Sequence, residues 1–274
     1  MTDLHSLTEH LGNIAKEAGA FIRGPSAHEV KVKGKTNKKD FVTSADIRSQ
    51  DMICSRLQQI FPHIQVVSEE HDESQRASLF KTDFTGFVID PIDGTYNFKR
   101  DMRESAVSIG YIEKGAPRAG VIYDPYKNEL FSVKKGYGAR RNGVKIAVSQ
   151  QTDLSGASIT TSNSYDDAAM ARNLKRHLAI YDRTGVMPWT SCTGSGVLIM
   201  AGIACGRFDA YHHNGLKPWD NAAAFLLVKE AGSTVERIDG GISRFTDTTV
   251  LMGTPGVTSI LRDIFTNIEP ALLT

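Results

Sequence analysis

The sequence has little of what marks several large classes of protein. Its 274 residues contain three cysteines, Cys54, Cys192 and Cys205, an odd number with no Cys-x-x-Cys pair. Neither a disulfide framework nor a zinc ribbon is therefore predicted. No segment approaches the roughly 18 consecutive apolar residues that a membrane-spanning helix needs. The first residues also lack the apolar core of a secretory signal. We expect a cytoplasmic protein with no membrane partner.

Neither sign of charge is in excess. The chain carries 32 Lys and Arg against 31 Asp and Glu, a formal net charge of +1. Proteins that bind nucleic acids usually show a strong basic excess, so a nucleic-acid partner is not expected. Hydrophobic residues make up 41% and charged residues 23% of the chain. Both values are ordinary for globular proteins, and they predict a packed core rather than disorder.

Two kinds of periodicity divide the chain near residue 150. Apolar residues at helical spacing predict helices over about 4–22 and 45–61, and alternating segments over 106–141 predict a mainly antiparallel sheet. The remaining sequence alternates between strand-like and helical segments, as in layered α/β proteins. We predict an N-terminal α+β lobe over residues 1–150 and a C-terminal α/β lobe over residues 151–274.

The segment Phe87–Thr95 reads FVIDPIDGT, an apolar strand followed by two acids. Asp90 is expected at the end of the strand. The proline after it should lead the chain into a rigid, non-helical segment. Asp90 and Asp93 can converge across such a turn, and a divalent cation is the simplest relief of their repulsion. An all-oxygen shell favours magnesium, manganese or calcium over zinc. Gly94 permits close approach of the backbone, and its amide and that of Thr95 could hold a phosphate oxygen.

Three further acidic segments accompany this motif. Asp46 ends the segment DFVTSAD over residues 40–46, Glu69 and Glu70 follow an apolar strand, and Asp220 heads an alanine-rich helix. Taken alone, Asp-x-x-Asp more often shapes a turn, and the other acids more often cap helices or end strands in solvent. The interpretation as a metal site therefore depends on all four segments occurring together.

Together these segments resemble the motifs of the inositol monophosphatase family. They are, in chain order, Asp40-Phe41-Val42-Thr43-x-x-Asp46, Glu69-Glu70, Asp90-Pro91-Ile92-Asp93-Gly94-Thr95 and Trp219-Asp220-x-Ala222-Ala223. The resemblance extends over nearly the whole chain. It implies an α/β (α+β) fold, a layered α-β-α-β-α sandwich with metals bound between the lobes. It also implies a magnesium-dependent, lithium-sensitive phosphatase, commonly a homodimer, related to fructose bisphosphatases and nucleotide 3′-phosphatases.

The resemblance further implies which residues bind metal. The side chains of Glu69, Asp90, Asp93 and Asp220 and the backbone carbonyl of Ile92 match the family's metal ligands. The expected cofactor is Mg²⁺, two or three ions per active site, with Mn²⁺ as a possible substitute.

Catalytic roles are implied in the same way. Asp46 and Thr95 match the pair that polarises the attacking water, and Glu70 matches the residue that holds a further metal-linked water. Lys35, or a neighbour in the lysine-rich loop over residues 31–39, matches a lysine near the outermost metal. The three cysteines need have no role in catalysis.

Substrate contacts are expected from both lobes. Gly94 and Thr95 would bind the phosphate, Asp220 would lie near the leaving oxygen, and Gly194 and Ser195 match a segment that contacts ring hydroxyls. His213 stands where animal inositol-specific members carry a glutamate that accepts from two ring hydroxyls, and Ser191 stands where many members carry an arginine. A neutral histidine ring cannot reproduce that bidentate acceptance.

We therefore predict a magnesium-dependent hydrolase of a phosphate monoester on a small polyol or sugar, with inositol 1-phosphate as the first candidate. Fructose 1,6-bisphosphate, histidinol phosphate and adenosine 3′,5′-bisphosphate remain alternatives on the same site. The rival from another class is a regulatory relative that binds RNA or RNA polymerase and has lost turnover. The presence of every expected ligand carboxylate favours the enzyme.

Overall fold

Five layers of secondary structure, three of helices and two of sheet, make up the computed structural model of the protein. The structure describes residues 3–24, 31–35 and 41–272, with side chains up to Ile268. In this part of the chain no helix is long and apolar enough to cross a membrane.

The helices vary from one turn to five. They are α1 (Leu4–Arg23), α2 (Ser44–Ile60), α3 (Glu73–Arg76), α4 (Thr95–Lys99), α5 (Asp167–Thr184), α6 (Gly196–Ala204), α7 (Pro218–Glu230) and α8 (Pro255–Leu272), with a 3-10 turn at Ala77–Phe80. The two predicted N-terminal helices match α1 and α2 to within about one residue at each end.

Within the described residues the strands form three sheets. They are β1 (Val32–Gly34), β2 (Phe41–Thr43), β3 (Val66–Ser68), β4 (Gly86–Asp93), β5 (Ala106–Glu113), β6 (Ala116–Asp124), β7 (Glu129–Lys134), β8 (Ala139–Arg141), β9 (Val144–Lys145), β10 (Ser158–Ser162), β11 (Trp189–Thr193), β12 (Ala210–Asn214), β13 (Thr234–Glu236) and β14 (Thr249–Gly253). The sheet orders are β1-β2, β3-β4-β5-β6-β7-β8-β9 and β11-β10-β12-β14-β13.

Strand directions separate the two large sheets. In the seven-stranded sheet β3 and β4 are parallel and every later neighbour is antiparallel, which confirms the predicted meander. In the five-stranded sheet β10, β11 and β12 are parallel, and β14 runs antiparallel to its two neighbours. The carboxyl ends of β10, β11 and β12 therefore lie together, which is where open α/β sheets usually bind ligands.

The order of the layers follows from which helix faces are apolar. Helices α1 and α2 cover one face of the seven-stranded sheet with one apolar side each. Helices α6 and α7 are apolar on nearly every side and lie between the two large sheets. Helices α5 and α8 cover the outer face of the five-stranded sheet. The predicted α-β-α-β-α sandwich is confirmed, whereas the division into lobes near residue 150 stays a prediction.

Strand β4 is longer than the sequence predicts. The expectation that the strand ends at Asp90 is wrong, because the chain pairs with β5 again at Asp93 opposite Ala106. The register shifts between the two aspartates, and Pro91, which has no N–H to donate, lies within this irregularity. Both carboxylates therefore leave the same strand, on either side of a bulge. Strand β11, an exposed edge strand, was also missed by the sequence patterns.

Two buried histidines face each other between β12 and α5. The ring centroids of His177 and His212 are 4.6 Å apart, and no ring nitrogen of either residue has a hydrogen-bond partner among the described residues. Phe265 of α8 packs edge-on against His212. Burial lowers the pKa of His177 to about 4. Burial, with the charges of His177, Arg176 and His213 added, also holds the pKa of His212 well below its usual range.

The packing of His177 against His212 predicts that the folded protein loses stability in acid. Each ring is neutral in the folded protein, whereas an unfolded histidine has a pKa of about 6.5. The stabilisation that depends on the two rings being neutral is therefore complete above about pH 6.5 and is lost as the pH falls from there towards 4. His212→Leu should reduce the loss of unfolding free energy between pH 7 and pH 5 by about 2 kcal/mol. Urea denaturation at the two pH values measures this change. The exposed control His63→Gln should lose as much stability as the unaltered protein, and an equal loss in His212→Leu would contradict the assignment.

Candidate active site

Three aspartates from the two predicted lobes converge at one point. Asp90 and Asp93 lie on β4, and Asp220 lies in the first turn of α7. One carboxylate oxygen from each lies within 4.8 Å of the other two. Asp90 and Asp93 are buried, and carboxylates so placed repel each other more strongly than in water.

Small residues let α7 lie close enough to the sheet to bring Asp220 to this point. An added Cβ on Gly110 of β5 would lie 2.7 Å from Ala222, and one on Gly120 of β6 would lie 2.7 Å from Ala223. Neither glycine position could therefore carry a side chain without moving the helix. In the sequence Asp220-Asn-Ala-Ala, a site residue is followed closely by the two alanines whose contacts with the sheet position it.

The hydrogen bonds at the three aspartates only partly offset the cost of burying them. Burial and the charges of Glu69, Asp93 and Asp220 raise the pKa of Asp90 well above its usual range, although its Oδ1 accepts from the Ile92 N–H at 3.0 Å. Burial and the charge of Asp93 do the same to the pKa of Asp220, whose Oδ2 accepts from the Lys217 N–H at 2.7 Å. The interpretation of Asp220 as the N-cap is wrong, because Lys217 occupies that position.

Asp93 is tied to the start of α6. Its Oδ2 accepts from the hydroxyl of Ser195 and from the Val197 N–H at 3.1 Å. Burial raises the pKa of Asp93 to about 7, and these hydrogen bonds oppose the rise. Ser195, predicted as a substrate contact, is fully buried and also caps α6 by accepting from the Leu198 N–H. The structure therefore places its hydroxyl on a carboxylate of the cluster.

Glu69 and Glu70 lie beside Lys35. The Lys35 ammonium is 2.9 Å from Glu69 Oε1 and 2.7 Å from Glu70 Oε1. Burial raises the pKa of Glu70 to about 7, an effect that Glu69 strengthens and Lys35 opposes. Burial disfavours the charged lysine, but the two carboxylates outweigh burial and raise the pKa of Lys35. Among the described loop residues Lys31 and Lys33 are exposed, while Lys38, Lys39 and Asp40 lie outside the described residues.

Asp46 and Thr95 are joined directly. The Thr95 hydroxyl is 3.1 Å from Asp46 Oδ1 and 3.1 Å from the carbonyl oxygen of Ile92. Asp46 Oδ2 accepts from the Thr43 hydroxyl and from the Thr43 N–H at 2.8 Å. Burial raises the pKa of Asp46 to about 6 against these hydrogen bonds.

Thr43 is a site residue that the sequence reasoning missed. It is the N-cap of α2, and Asp46 is the third residue of that helix, so the interpretation of Asp46 as the N-cap is wrong. The pattern Thr-x-x-Asp before an amphipathic helix is the signal that could have identified it, since it forms a capping box. Here the same capping box fixes the carboxylate that contacts Thr95.

Gly94, which follows β4, and Gly194, which follows β11, lie next to each other. Gly94 has φ of 82°, and an added Cβ would lie 2.9 Å from the Glu104 carbonyl oxygen and 3.4 Å from that of Gly194. A Cβ on Gly194 would overlap the side chain of Asn97. The amide of Thr95 begins α4, and the first N–H groups of a helix have no partner within it.

His213 lies at the end of β12 and is 3% exposed. Its Nδ1 is 2.9 Å from Asn173 Nδ2 and 3.1 Å from Ser162 Oγ. Its ring stacks on Tyr211 with centroids 5.8 Å apart. Among the described residues His213 makes no hydrogen bond with the carboxylates of the cluster. Burial, with the charges of Asp220 and Asp93 added, raises the pKa of Tyr211 well above its usual range.

Comparison with known proteins decides the family. The model of the inositol monophosphatase family matches residues 3–264. The chain belongs to the inositol monophosphatase family. The Nus factor SuhB of Escherichia coli K12 is 32% identical over 263 residues, 93% of each chain. The inositol-1-monophosphatase of Bacillus subtilis is 32% identical over 265 residues, 94% of this chain and 95% of its own.

Solved structures agree. The SuhB protein of Bartonella henselae has a TM-score of 0.84 at 27% identity, covering 95% of this chain and 98% of its own. The Thermotoga maritima IMPase has a TM-score of 0.84 at 25% identity, covering 97% of this chain and 99% of its own. As a member of this family the protein is a phosphoric monoester hydrolase.

The residues present fit the divalent metal that this phosphatase family implies. Every donor in the cluster is an oxygen, the preference of Mg²⁺ and Mn²⁺ rather than of zinc. The pKa values of Asp90, Asp93 and Asp220 are all raised, which shows that protein groups alone leave their charge poorly compensated. A bound cation would remove that imbalance.

The uncompensated charge of the three aspartates should lower the stability of the metal-free protein. Without divalent metal at pH 7.5, Asp220→Asn should raise the unfolding free energy by about 1 kcal/mol, because one charge leaves the cluster while the amide oxygen can still accept from Lys217. Adding magnesium should raise the melting temperature of the unaltered phosphatase and leave that of Asp220→Asn nearly unchanged. Differential scanning calorimetry measures both effects. The exposed control Asp83→Asn should respond to magnesium as the unaltered protein does, and a full magnesium response in Asp220→Asn would count against the site.

Proposed function

We propose that this phosphatase hydrolyses the phosphate monoester of a small polyol or sugar with Mg²⁺ as cofactor, and that inositol 1-phosphate is the first substrate to test. The observation that carries the proposal is the convergence of Asp90, Asp93 and Asp220 within 4.8 Å. The name of the B. subtilis relative supports the substrate class. Two or three ions per site, and Mn²⁺ as a substitute, belong to the same proposal.

The metal ligands proposed are the side chains of Glu69, Asp90, Asp93 and Asp220 and the carbonyl of Ile92. When bound, a divalent cation neutralises phosphate charge and lowers the pKa of a bound water. Lys35 already balances part of the charge of Glu69 and Glu70. Glu70, whose side chain is 4% exposed, is proposed to hold a water at the edge of the cluster.

Asp46 and Thr95 are proposed to orient the attacking water and to accept its proton. The Thr95 hydroxyl can donate to Asp46 Oδ1, which leaves its oxygen free to accept from a water. Thr43 holds the other oxygen of Asp46 through its N–H and its hydroxyl, so the carboxylate cannot turn away. The proton then passes from the water to Thr95 as the Thr95 proton passes to Asp46.

The remaining residues are proposed to position the substrate. The amides of Gly94 and Thr95 bind phosphate oxygens, which need mainly charge neutralisation and alignment in phosphoryl transfer. Asp220 lies on the opposite lobe, next to the leaving oxygen. Gly194, Ser195 and His213 belong to the wall that contacts the remainder of the substrate.

A regulatory role is the second candidate. The E. coli relative is named Nus factor SuhB, and an intact active site is compatible with a further role in transcription. Inhibition by lithium and a cytoplasmic location also remain proposals for this protein.

Phosphate release from a substrate panel tests the function. The panel contains inositol 1-phosphate, fructose 1,6-bisphosphate, histidinol phosphate and adenosine 3′,5′-bisphosphate, each with magnesium, with EDTA and with added lithium. At least one should release phosphate only with magnesium. Asp93→Asn should lower kcat at least about 100-fold because it removes a metal ligand. Thr95→Val should lose activity and Thr95→Ser should keep most of it, because only the serine retains the hydroxyl.

The control Asp83→Asn changes an exposed carboxylate and should keep full activity. Turnover that survives EDTA or Asp93→Asn would contradict the assigned site. A folded protein that hydrolyses nothing in the panel would favour the regulatory candidate, which binding to RNA polymerase would then test.

We also propose that the protein is a homodimer. Apolar side chains on α5 and at the sheet edge are exposed: Leu174, Leu178, Tyr181, Met187 and Trp189. Trp189, on edge strand β11, is 77% exposed. Exposed apolar side chains along one helix face and on an edge strand are typical of association surfaces.

Sedimentation equilibrium tests the dimer. The unaltered protein should have twice the mass of the chain, and Leu178→Glu should shift it towards the monomer, because a charge would be buried in the interface without a partner. The control Tyr137→Glu changes an exposed aromatic residue in the turn between β7 and β8 and should leave the mass unchanged. A monomeric unaltered protein would refute the proposal.

A further inference from the structure

Arg76 joins two segments that each carry a proposed metal ligand. Its Nη1 donates to the main-chain carbonyl oxygen of Glu69 at 3.1 Å, and its guanidinium carbon lies 5.5 Å from the centre of the Trp219 ring. Trp219 directly precedes Asp220 in the first turn of α7. One half-buried side chain therefore contacts both the Glu69 segment and the start of the helix that carries Asp220.

The main chain of Glu69 is held from both sides. Its N–H donates to the carbonyl oxygen of Ile89 at 3.2 Å, and Ile89 directly precedes Asp90 on β4. Its own carbonyl oxygen accepts from Arg76. Because both main-chain polar groups of Glu69 have partners, the backbone that carries its side chain is fixed relative to Asp90 on one side and to Trp219 on the other.

The chain between Glu69 and Arg76 folds back on itself. His71 closes a turn on Ser68: its N–H donates to the Ser68 carbonyl oxygen, and its Nδ1 accepts from the Ser68 N–H, each at 3.2 Å. Asp72 is the N-cap of α3, a single helical turn that ends at Arg76. This turn directs the guanidinium to a carbonyl oxygen seven residues earlier in the chain.

Arg76 and Lys35 hold Glu69 in different ways. The Lys35 ammonium contacts a carboxylate oxygen of Glu69 at 2.9 Å, where a cation would compete with it. Arg76 contacts the main-chain oxygen of Glu69, which is not among the proposed metal ligands. The Arg76 contact therefore does not depend on whether a cation is bound.

We propose that Arg76 is a positioning residue for the divalent cation: by binding the Glu69 carbonyl and covering the Trp219 ring, it fixes the Glu69 carboxylate relative to that of Asp220. The proposal rests on the proposed function, which takes both acids as metal ligands. A cation over a tryptophan ring is attracted to it more strongly where water is excluded, and Trp219 is 9% exposed. Groups that orient metal ligands commonly contribute roughly 10- to 100-fold to metal affinity.

The charge of Arg76, taken alone, predicts the opposite effect on metal binding. A guanidinium beside the cluster repels a divalent cation, so its removal would strengthen metal binding. If Arg76 instead fixes Glu69 and Trp219, its removal weakens metal binding, because the ligands must then be ordered when the cation binds. The direction of the change therefore separates positioning from electrostatic repulsion.

Titration of the whole protein with Mn²⁺, followed by EPR, tests the proposal without any activity, because the signal of the free ion is lost on binding. Arg76→Leu keeps an apolar side chain but no donor and should raise the Kd for Mn²⁺ roughly tenfold. Arg76→Lys keeps the charge and a donor and should raise the Kd by less. Arg76→Gln is too short to contact both partners and should behave as Arg76→Leu does, so the test stays decisive if the leucine variant does not fold.

Arg140 provides a matched control for this titration. Its Nη1 donates to the carbonyl oxygen of Gly143 at 2.8 Å, a hydrogen bond of the same kind near the far edge of the seven-stranded sheet. Arg140→Leu should leave the Kd for Mn²⁺ unchanged. An unchanged or lower Kd in Arg76→Leu or Arg76→Gln would overturn the proposal.

Steady-state kinetics separate positioning from a general loss of structure. In Arg76→Leu the magnesium concentration that gives half-maximal phosphate release should rise roughly tenfold. The kcat at saturating magnesium should stay within about threefold of that of the unaltered enzyme, because the Arg76 side chain contacts a main-chain oxygen and a ring rather than the reacting groups. A lower kcat with an unchanged magnesium requirement would refute the positioning role.

Failure of this proposal can be told apart from failure of the proposed function. If the unaltered protein binds Mn²⁺ but hydrolyses nothing, the proposed reaction fails, and the EPR comparison still decides the role of Arg76. If it hydrolyses its substrate with magnesium and Arg76→Leu keeps the unaltered Kd and magnesium requirement, the proposed function stands and the role of Arg76 is refuted. A protein that binds no Mn²⁺ would overturn both.

Discussion

The close contact between α7 and the seven-stranded sheet determines where the rest of the active site can lie. Gly110 and Gly120 face Ala222 and Ala223 with no room for another carbon atom. A larger residue at any of the four positions would push the helix outward and separate Asp220 from Asp90 and Asp93. Because α7 lies between the two large sheets, the same contact fixes the spacing of the layers. The core packing and the metal cluster therefore cannot be altered independently.

That close contact brings together carboxylates that destabilise the metal-free fold. Asp46, Asp90 and Asp93 are buried and Asp220 is half-buried, and burial raises the pKa of each. The fold tolerates this because each acid is held by a neighbour: Asp46 by Thr43, Asp90 by the amide of Ile92, Asp93 by Ser195 and Val197, and Asp220 by the amide of Lys217. These bonds orient the acids but leave their charge uncompensated. The free energy that these uncompensated charges cost the fold would then be recovered as affinity for a cation.

Much of the fold and of the acidic cluster could be predicted from the sequence. Helices α1 and α2 have clear apolar periodicity, and the order of the acidic segments led to the residues that meet in space. The course of β4 could not be predicted, because Asp-Pro after an apolar run indicates a turn locally and only pairing with β5 keeps the chain extended. Strand β11 was missed because its sequence, WTSCT, lies at an exposed edge and has little apolar alternation.

The contacts that orient site residues were harder to predict than the site residues themselves. Ser195 is expected to contact the substrate through its amide, and that expectation did not indicate that its hydroxyl binds Asp93, 102 residues earlier in the chain. Asn173, which contacts His213, gave no signal at all, since a polar residue in a helix is ordinarily exposed, and that contact depends on the end of β12 lying beside it. Long-range contacts of this kind orient the side chains of a site, and no local pattern records them.

Because such long-range contacts leave no local pattern in the sequence, the family resemblance predicts the reaction better than it predicts the substrate. The acids that would hold metal are compact and interdependent, so changing one disturbs the others and the reaction fails. The residues proposed to contact the rest of the substrate are separate polar groups, each oriented by its own neighbours. At His213 the orientation comes from Asn173 and ultimately from Arg176, which lie outside the reacting centre. Because these proposed contacts are separate from the acids, substitutions there would leave the acidic cluster intact, and the phosphatase chemistry and the proposed substrate preference would vary separately.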